Sequence, residues 1–134
     1  LEKWKVRNVK DMTSTFEDCT KFNADLSEWE PSSCTTMRCT FLGCESFEGK
    51  GLEKWKVRNV KDMMATFYGC PKFNPNLSEW EPSSCTTMRC TFLGCESFEG
   101  KGLEKWKVRN VKDMTSTFED CTKFNADLSE WEPS

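Results

Sequence analysis

The six tryptophans of this chain recur at nearly constant intervals, and this periodicity limits the folds that the chain can adopt. Successive tryptophans lie 25 or 26 residues apart, at Trp4, Trp29, Trp55, Trp80, Trp106 and Trp131. A period of this length is typical of repeat proteins, in which each repeat packs only against its neighbours. We therefore expect a stack of about five repeats and no single closed core.

Two repeat types alternate along the chain. Type A occupies residues 4–28, 55–79 and 106–130, and type B occupies residues 29–54 and 80–105. The two-repeat unit spans residues 1–51, recurs at 52–102 and begins again at 103–134, so we predict one solenoid domain over residues 1–134. We expect these residues to be a window of a longer array. The second unit departs from the first only in its A repeat, at Thr13/Met64, Ser14/Ala65, Glu17/Tyr68, Asp18/Gly69, Thr20/Pro71, Ala24/Pro75 and Asp25/Asn76.

Aligned on the tryptophans, the repeats place apolar side chains in register. These columns predict a buried ladder with one large rung per repeat, because no repeat can bury its apolar face alone. An exposed aromatic strip that binds sugars is the other interpretation of the tryptophans. Besides the tryptophans, the ladder contains five phenylalanines (Phe16, Phe41, Phe67, Phe92, Phe118) and five cysteines (Cys19, Cys44, Cys70, Cys95, Cys121).

The local pattern predicts one short strand and one helical or 3-10 turn per repeat. Phe22 and Leu26 are four residues apart, which places both on one face of a strand. Asp11 can cap a helical turn in which Met12 and Phe16 point the same way. We expect the strands to stack into a narrow parallel sheet.

Composition argues against several classes of function. The chain has 19 basic and 22 acidic residues, a net charge of −3, which is no footprint for nucleic acid. No apolar run approaches the roughly 20 residues of a membrane span. Histidine is absent, and no nucleophile–base set or phosphate-binding glycine loop occurs. We therefore expect no enzyme activity, no cofactor and no metal site.

The A repeat resembles the BspA-like surface repeat of the DUF285 family. The resemblance implies a leucine-rich-repeat-like solenoid on secreted or cell-surface proteins that serves adhesion and protein interaction. Type B departs from the pattern, since Pro31 and Cys34 replace the valines, Ser33 replaces the first asparagine and Glu48 the second. The residues that carry the resemblance are Trp4, Val6, Asn8, Val9, Asp11, Met12, Phe16, Cys19, Phe22, Asn23, Leu26 and Trp29.

Charges beside the tryptophans alternate in sign from repeat to repeat. Stacking would place lysines between glutamates, which avoids like-charge contacts and could fix the order of A and B repeats. An ordinary solvated charged face is the alternative. The alternation runs through Lys3 and Lys5, Glu28 and Glu30, Lys54 and Lys56, and Glu79 and Glu81.

The nine cysteines suggest an oxidising compartment. The cysteine column fits either small buried apolar side chains or disulfides between successive repeats. Type B adds two further cysteines as a pair, which favours disulfides Cys34–Cys39 and Cys85–Cys90. A zinc site is the rival interpretation of these pairs, but their spacing and the absence of histidine argue against it.

Polar columns give weaker signals. A threonine precedes the central phenylalanine in every repeat (Thr15, Thr40, Thr66, Thr91, Thr117), a pattern that can bind ice or, more simply, hydrogen-bond to nearby backbone. Asn76-Leu77-Ser78 is a weak glycosylation sequon. Asn23 and its equivalents occur only in A repeats, which indicates a local structural role.

The repeats predict a structural or interaction protein, and the resemblance to the DUF285 family implies that it is non-enzymatic and extracellular or at the cell surface. It would be an adhesin or a fibre-forming tandem repeat whose partners are other protein chains, including copies of itself end to end. The alternative is a ligand-binding module that recognises a protein or a glycan on one face of the solenoid.

Overall fold

Residues 5–133 are described by a computed structural model that contains little regular secondary structure. Its helices within those residues are two single-turn 3-10 helices, Leu52–Lys54 and Leu103–Lys105. Isolated parallel bridges connect the residue before the central methionine of successive repeats, in the order Asp11, Thr36, Asp62, Thr87 and Asp113. The other residues of this range form turns and irregular connections.

The strand expected at residues 22–26 is absent. Asp25 instead accepts the backbone N–H of Ser27 on its Oδ1, at 2.9 Å, which closes an Asx turn. The prediction of a strand from the spacing of Phe22 and Leu26 is wrong, because both side chains reach the interior from an irregular backbone. The regular run of inter-repeat pairing lies earlier in each repeat, at the bridge and the residues after it, and Leu26 adds a single backbone hydrogen bond to Lys50 O at 3.0 Å.

A run of tight turns follows each bridge; we call it the turn segment (residues 12–18, 37–43, 63–69, 88–94 and 114–120). In the first repeat the N–H of Thr15 donates to Met12 O, and that of Glu17 to Ser14 O, both at 3.2 Å. Ser14 and Asp18 have φ of 57° and 58°, in the left-handed region that a right-handed helix cannot continue through. The helical turn expected at residues 11–16 is therefore a chain of turns.

Alternate N–H groups of the turn segment bind the next repeat. In the first repeat these donors pair with carbonyl oxygens 24 residues further along the chain. The N···O distances lie between 2.7 and 3.1 Å at all four junctions from the first to the fifth turn segment. This pattern fixes the register of each repeat on the next through backbone atoms. The donors of the first repeat are Met12, Ser14, Phe16 and Asp18, and their acceptors are Thr36, Arg38, Thr40 and Leu42.

Aromatic columns form the core between the repeats. The central phenylalanines stack with ring centroids 5.5–5.6 Å apart and interplanar angles of 4–13°. Trp29 and Trp55 are nearly parallel, with centroids 6.3 Å apart and an angle of 2°. Offset stacks of this kind add to the stabilisation from apolar burial. Each repeat therefore buries its large rings against the repeats on either side.

Two glycines hold the backbone close to the preceding repeat. Gly51 and Gly102 have φ of 87° and 90°, and each precedes a 3-10 helix. A Cβ at Gly51 would overlap the backbone nitrogen of Ser27 and lie 2.7 Å from the carbonyl carbon of Leu26. Only glycine satisfies both the left-handed conformation and this close approach.

These contacts link every described repeat to the next, but they contain neither the strand nor the longer helix by which a leucine-rich repeat is recognised. The leucine-rich-repeat-like class therefore stays a prediction. Within residues 5–133 no helix has the length and apolar character needed to cross a membrane.

Candidate interaction surfaces

The tryptophan column is buried at its four central positions. Trp29, Trp55, Trp80 and Trp106 are 1–3 % exposed, Trp131 is half-buried, and Trp4 lies outside the described residues. From Trp55 onward, each indole donates its Nε1–H to the carbonyl oxygen of the leucine three residues before the previous tryptophan, at 2.7–3.0 Å. For Trp55 this acceptor is Leu26 O, three residues before Trp29. Rings held in this way offer no strip on which a sugar could stack.

The threonine column is also internal, which rules out ice binding through it. Thr40, Thr66, Thr91 and Thr117 are 0–3 % exposed, and Thr15 alone is exposed. The Oγ1 of Thr66 lies 2.8 Å from Met63 O in its own repeat and 2.9 Å from Met37 O in the preceding one. One hydroxyl therefore bridges the carbonyls of two repeats, a role that the sequence pattern alone did not reveal.

The cysteine column consists of free thiols that hydrogen-bond to the neighbouring repeat. The Sγ atoms of Cys44, Cys70, Cys95 and Cys121 lie 2.9–3.1 Å from the carbonyl oxygen of the central phenylalanine in the preceding repeat. Burial raises the pKa of the Cys44 thiol to about 12 and that of Cys121 to about 11. Cys19, in the first repeat, is exposed. Such buried thiols are poor nucleophiles because the thiolate is the reactive form.

The disulfides expected within the B repeats are not formed, since all nine cysteines are free. Cys34 is buried and its thiol contacts the Thr36 carbonyl at 3.1 Å, whereas Cys39 is half-exposed with φ of 56°. The paired appearance of these cysteines reflects two separate columns. No group of cysteine and carboxylate side chains that could hold a metal ion occurs in residues 5–133.

The charges that flank the tryptophans lie at the surface. Lys5, Glu28, Glu30, Lys54, Lys56, Glu79 and Glu81 are all exposed, and Lys3 lies outside the described range. Lys54 Nζ is 3.9 Å from Glu79 Oε2, a contact between the last residue of a B repeat and the last residue of the A repeat that follows. Exposed pairs of this kind are worth only about 0–1 kcal/mol, so the role of these charges in fixing the order of the repeats stays a prediction.

Asparagine and glutamate form a second contact between A and B repeats. The amide of Asn23 donates to Glu48 Oε2 at 3.1 Å and accepts the Glu48 backbone N–H at 2.9 Å. Asn74 and Glu99 make the same two hydrogen bonds. The replacement of asparagine by glutamate in type B therefore creates a matched pair. Asn76 of the sequon is exposed and accepts the N–H of Ser78 on its Oδ1 at 2.9 Å.

The middle A repeat carries an apolar surface at which the repetition is broken. Tyr68 is 39 % exposed, and half-buried Leu42 and Leu93 occupy the same register position in the flanking repeats. The first and third A repeats have exposed glutamates at this position, Glu17 and Glu119. We call Leu42, Tyr68 and Leu93 the apolar strip. The sequence analysis identified the Glu17/Tyr68 difference but missed the strip, because the register in which the repeats stack decides which side chains become neighbours.

Two arginines precede the leucines of this strip by four residues in the chain. Arg38 and Arg89 occupy one register column on either side of half-buried Met64. Arg38 Nη1 lies 3.6 Å from Asp62 Oδ2, and Arg89 Nη1 lies 3.8 Å from Asp113 Oδ2. An exposed aromatic ring with apolar neighbours in the two adjacent repeats is typical of an interaction surface.

Comparison with protein families identifies the repeat. Residues 1–51 and 35–134 match the family described as "Mycoplasma protein of unknown function, DUF285". The chain belongs to the DUF285 family. No curated protein and no solved structure matches the chain. Both B repeats lie within the matched residues, so they are DUF285 repeats despite their departures from the type A pattern.

Proposed function

We propose that this DUF285 chain is a non-enzymatic structural and interaction protein of the cell surface, an adhesin or a fibre-forming tandem repeat. The observation that carries the proposal is the unbroken set of backbone hydrogen bonds between turn segments, four at each junction. Repeats joined in this way form a scaffold that can be lengthened by adding units. The proposed arrangement is a leucine-rich-repeat-like solenoid.

The proposed cell-surface location rests on the resemblance to surface repeats. The cysteines do not contribute to it, because the thiols are free and mostly buried. Brief protease treatment of intact cells, followed by mass spectrometry, tests the location. We expect peptides of this chain to be released while cytoplasmic marker proteins stay intact. Release only after lysis would contradict an extracellular role.

The fibre form of the proposal is tested on the protein isolated from its natural source. Electron microscopy should show filaments or long rods, because stacked repeats add length with every unit. An array of dispersed short particles would rule out the fibre and leave the adhesin as the structural role.

The apolar strip favours a second candidate function, the recognition of a protein or a glycan. Tyr68→Glu introduces the residue that the other A repeats carry at this position, so the variant should fold normally. Glu17→Tyr is the comparison variant, since it adds an exposed tyrosine at the end of the strip, beside Leu42, and leaves Tyr68 in place. We expect Tyr68→Glu to abolish adhesion to the natural surface and Glu17→Tyr to preserve it. Equal adhesion of the wild type and Tyr68→Glu would refute a role for the strip.

A further inference from the structure

The three inner repeats, residues 29–105, each make three tight turns in succession. In the middle A repeat the turns span residues 63–66, 67–70 and 70–73, and each is closed by a backbone hydrogen bond of 3.2 Å from its last residue to its first. Both B repeats form the same three turns at equivalent positions, with hydrogen bonds of 3.0–3.2 Å. We call the second residue of each turn its leading residue; it is one of the two residues at the bend.

The middle A repeat differs from the first mainly in these turns, where five of the seven substitutions lie. In the first A repeat, Ser14 Oγ donates a hydrogen bond to Glu17 Oε1 at 2.6 Å. In the middle repeat this polar pair is replaced by buried Ala65 and exposed Tyr68. All three leading residues change from polar to apolar, from Thr13, Glu17 and Thr20 to Met64, Tyr68 and Pro71.

The two B repeats that flank the middle repeat carry charges in their first and third turns. The leading residues of a B repeat are an exposed arginine, a half-buried leucine and an exposed glutamate, in that order. Because the three turns follow one another around each repeat, the arginines lie on one side of the apolar strip and the glutamates on the other. We call these nine leading residues the tyrosine face: Arg38, Leu42, Glu45, Met64, Tyr68, Pro71, Arg89, Leu93 and Glu96.

The tyrosine face is complementary to itself in one arrangement. A two-fold axis parallel to the stack exchanges the two sides of the face and keeps the order of the repeats. It places Arg38 opposite the partner's Glu45, and Arg89 opposite the partner's Glu96. The apolar strip then meets its own copy along the axis. A surface that matches itself across a two-fold axis is the requirement for a symmetric dimer.

Other arrangements of two copies bring like charges or unlike surfaces together. If the stacks were antiparallel, Arg38 would face the partner's Arg89, and juxtaposed like charges are strongly unfavourable at an interface. A shift by one repeat would place the arginines and glutamates opposite the apolar leading residues of the middle repeat. At the ends of the strip, Glu17 and Glu119 would meet their own copies, which limits the contact to three repeats.

From this complementarity we propose that the tyrosine face is a docking surface for the same face of a second copy of this chain, with the two stacks parallel and in register. The inference rests on the second candidate function, recognition through the apolar strip, and names the partner. Nine leading residues are fewer than the roughly 20–30 residues per side of a standard interface. We therefore expect a weak, reversible dimer with a Kd of about 10–1,000 µM.

Sedimentation equilibrium in a reducing buffer tests the docking. The average mass of the wild type should rise with concentration from 15.6 kDa towards twice that value. Tyr68→Glu places two carboxylates on the two-fold axis and should stay monomeric at every concentration. A wild type that is monomeric up to about 1 mM would overturn the inference. Dimerisation of Tyr68→Glu with the wild-type Kd would overturn it as well.

Charge reversals test the parallel arrangement. Arg38→Glu should raise the Kd about tenfold, because both symmetry-related contacts then place glutamate against glutamate. Glu45→Arg should have a similar effect while keeping the ion pair of Arg38 with Asp62, so it tests the same contact if Arg38→Glu does not fold by circular dichroism. Arg58→Glu is the matched control and should leave the Kd unchanged, since Arg58 is exposed outside the three turns.

Double variants identify which residues face each other. Arg38→Glu combined with Glu45→Arg should restore the wild-type Kd, because the charges attract again in exchanged positions. Arg38→Glu combined with Glu96→Arg should dimerise more weakly than Arg38→Glu alone, since it also places arginine against Arg89. Tighter association of either Arg38→Glu or this second combination would show an antiparallel arrangement and overturn the proposed one.

The dimer and the second candidate function can fail independently. A monomeric wild type whose adhesion is abolished by Tyr68→Glu would overturn the second copy as partner, and the strip would then recognise another protein or a glycan. A dimer that is lost in Tyr68→Glu while adhesion stays unchanged would support the docking and refute a role for the strip in adhesion.

Discussion

Replacing Gly51 by alanine should separate neighbouring repeats, because its missing Cβ allows the chain to approach the preceding repeat. The alanine Cβ would overlap the Ser27 nitrogen, a backbone atom that cannot move alone. Gly69→Ala is the matched control, since Gly69 has φ of 71° but its Cβ would meet nothing closer than Gly43 Cα at 3.7 Å.

The two substitutions share one destabilising effect and differ in a second. Alanine in the left-handed region costs about 1–2 kcal/mol, offset by about 0.4–1 kcal/mol from the reduced freedom of the unfolded chain. The overlap at Gly51 adds about 1–3 kcal/mol for overpacking. We expect losses of about 1 kcal/mol for Gly69→Ala and about 2–4 kcal/mol for Gly51→Ala.

Urea unfolding followed by tryptophan fluorescence measures both variants, since the indoles are buried between repeats. The midpoint should fall clearly further for Gly51→Ala than for Gly69→Ala. Gly102→Ala is an independent repetition, because its Cβ would overlap the backbone nitrogen of Ser78. Equal midpoints for Gly51→Ala and Gly69→Ala would refute the close approach of the repeats at residues 27 and 51.

Three further predictions concern the buried columns. Thr66→Val keeps the side-chain shape but removes the hydroxyl that bridges two repeats, so it should lower the free energy of unfolding by about 1–2 kcal/mol. In the same urea titration, Thr15→Val, at the exposed end of the column, should lower the free energy of unfolding by less. Trp80→Phe removes an indole donor and leaves a gap, and should destabilise by about 2–4 kcal/mol; a calorimetric transition unchanged by this variant would count against the buried column. Burial raises the pKa of the Cys85 thiol from 9.0 to about 12, so the unfolded chain loses this proton at a lower pH than the folded chain does. The free energy of unfolding should therefore fall as the pH rises from about 9 towards 12, by on the order of 1 kcal/mol per pH unit. Cys85→Val, which introduces the residue of the A repeats, should show a weaker pH dependence.

The positions of the columns could be predicted from the sequence, because a fixed period places equivalent residues at the same point of each repeat. Trp55, Phe41 and Cys70, each predicted as a rung, are all fully or almost fully buried. The period does not predict which atoms a polar side chain will contact. The threonine hydroxyls turn inward to the methionine carbonyls, which the pattern allowed but did not require.

The backbone path of each repeat could not be predicted, because several residues that take the left-handed conformation are not glycines. Ser14, Cys39 and Ala65 all have positive φ, although none is a glycine. Their conformation follows from hydrogen bonds to the next repeat, which a single repeat does not contain. Cys39, one of the two cysteines expected to pair in this repeat, lies at such a turn, and its thiol is free, as is that of Cys34. Neighbouring repeats therefore decide the local structure.

Scalar couplings across hydrogen bonds, measured by NMR on a chain labelled with ¹⁵N and ¹³C, test the stacking of the repeats most directly. The stacked arrangement predicts couplings from the amides of Met37, Cys39 and Phe41 to the carbonyls of Asp62, Met64 and Thr66, each 25 residues further along the chain. The middle A repeat differs in sequence from its neighbours, which makes these signals assignable. Couplings from the same amides to carbonyls four residues earlier would indicate a helix and contradict the stack.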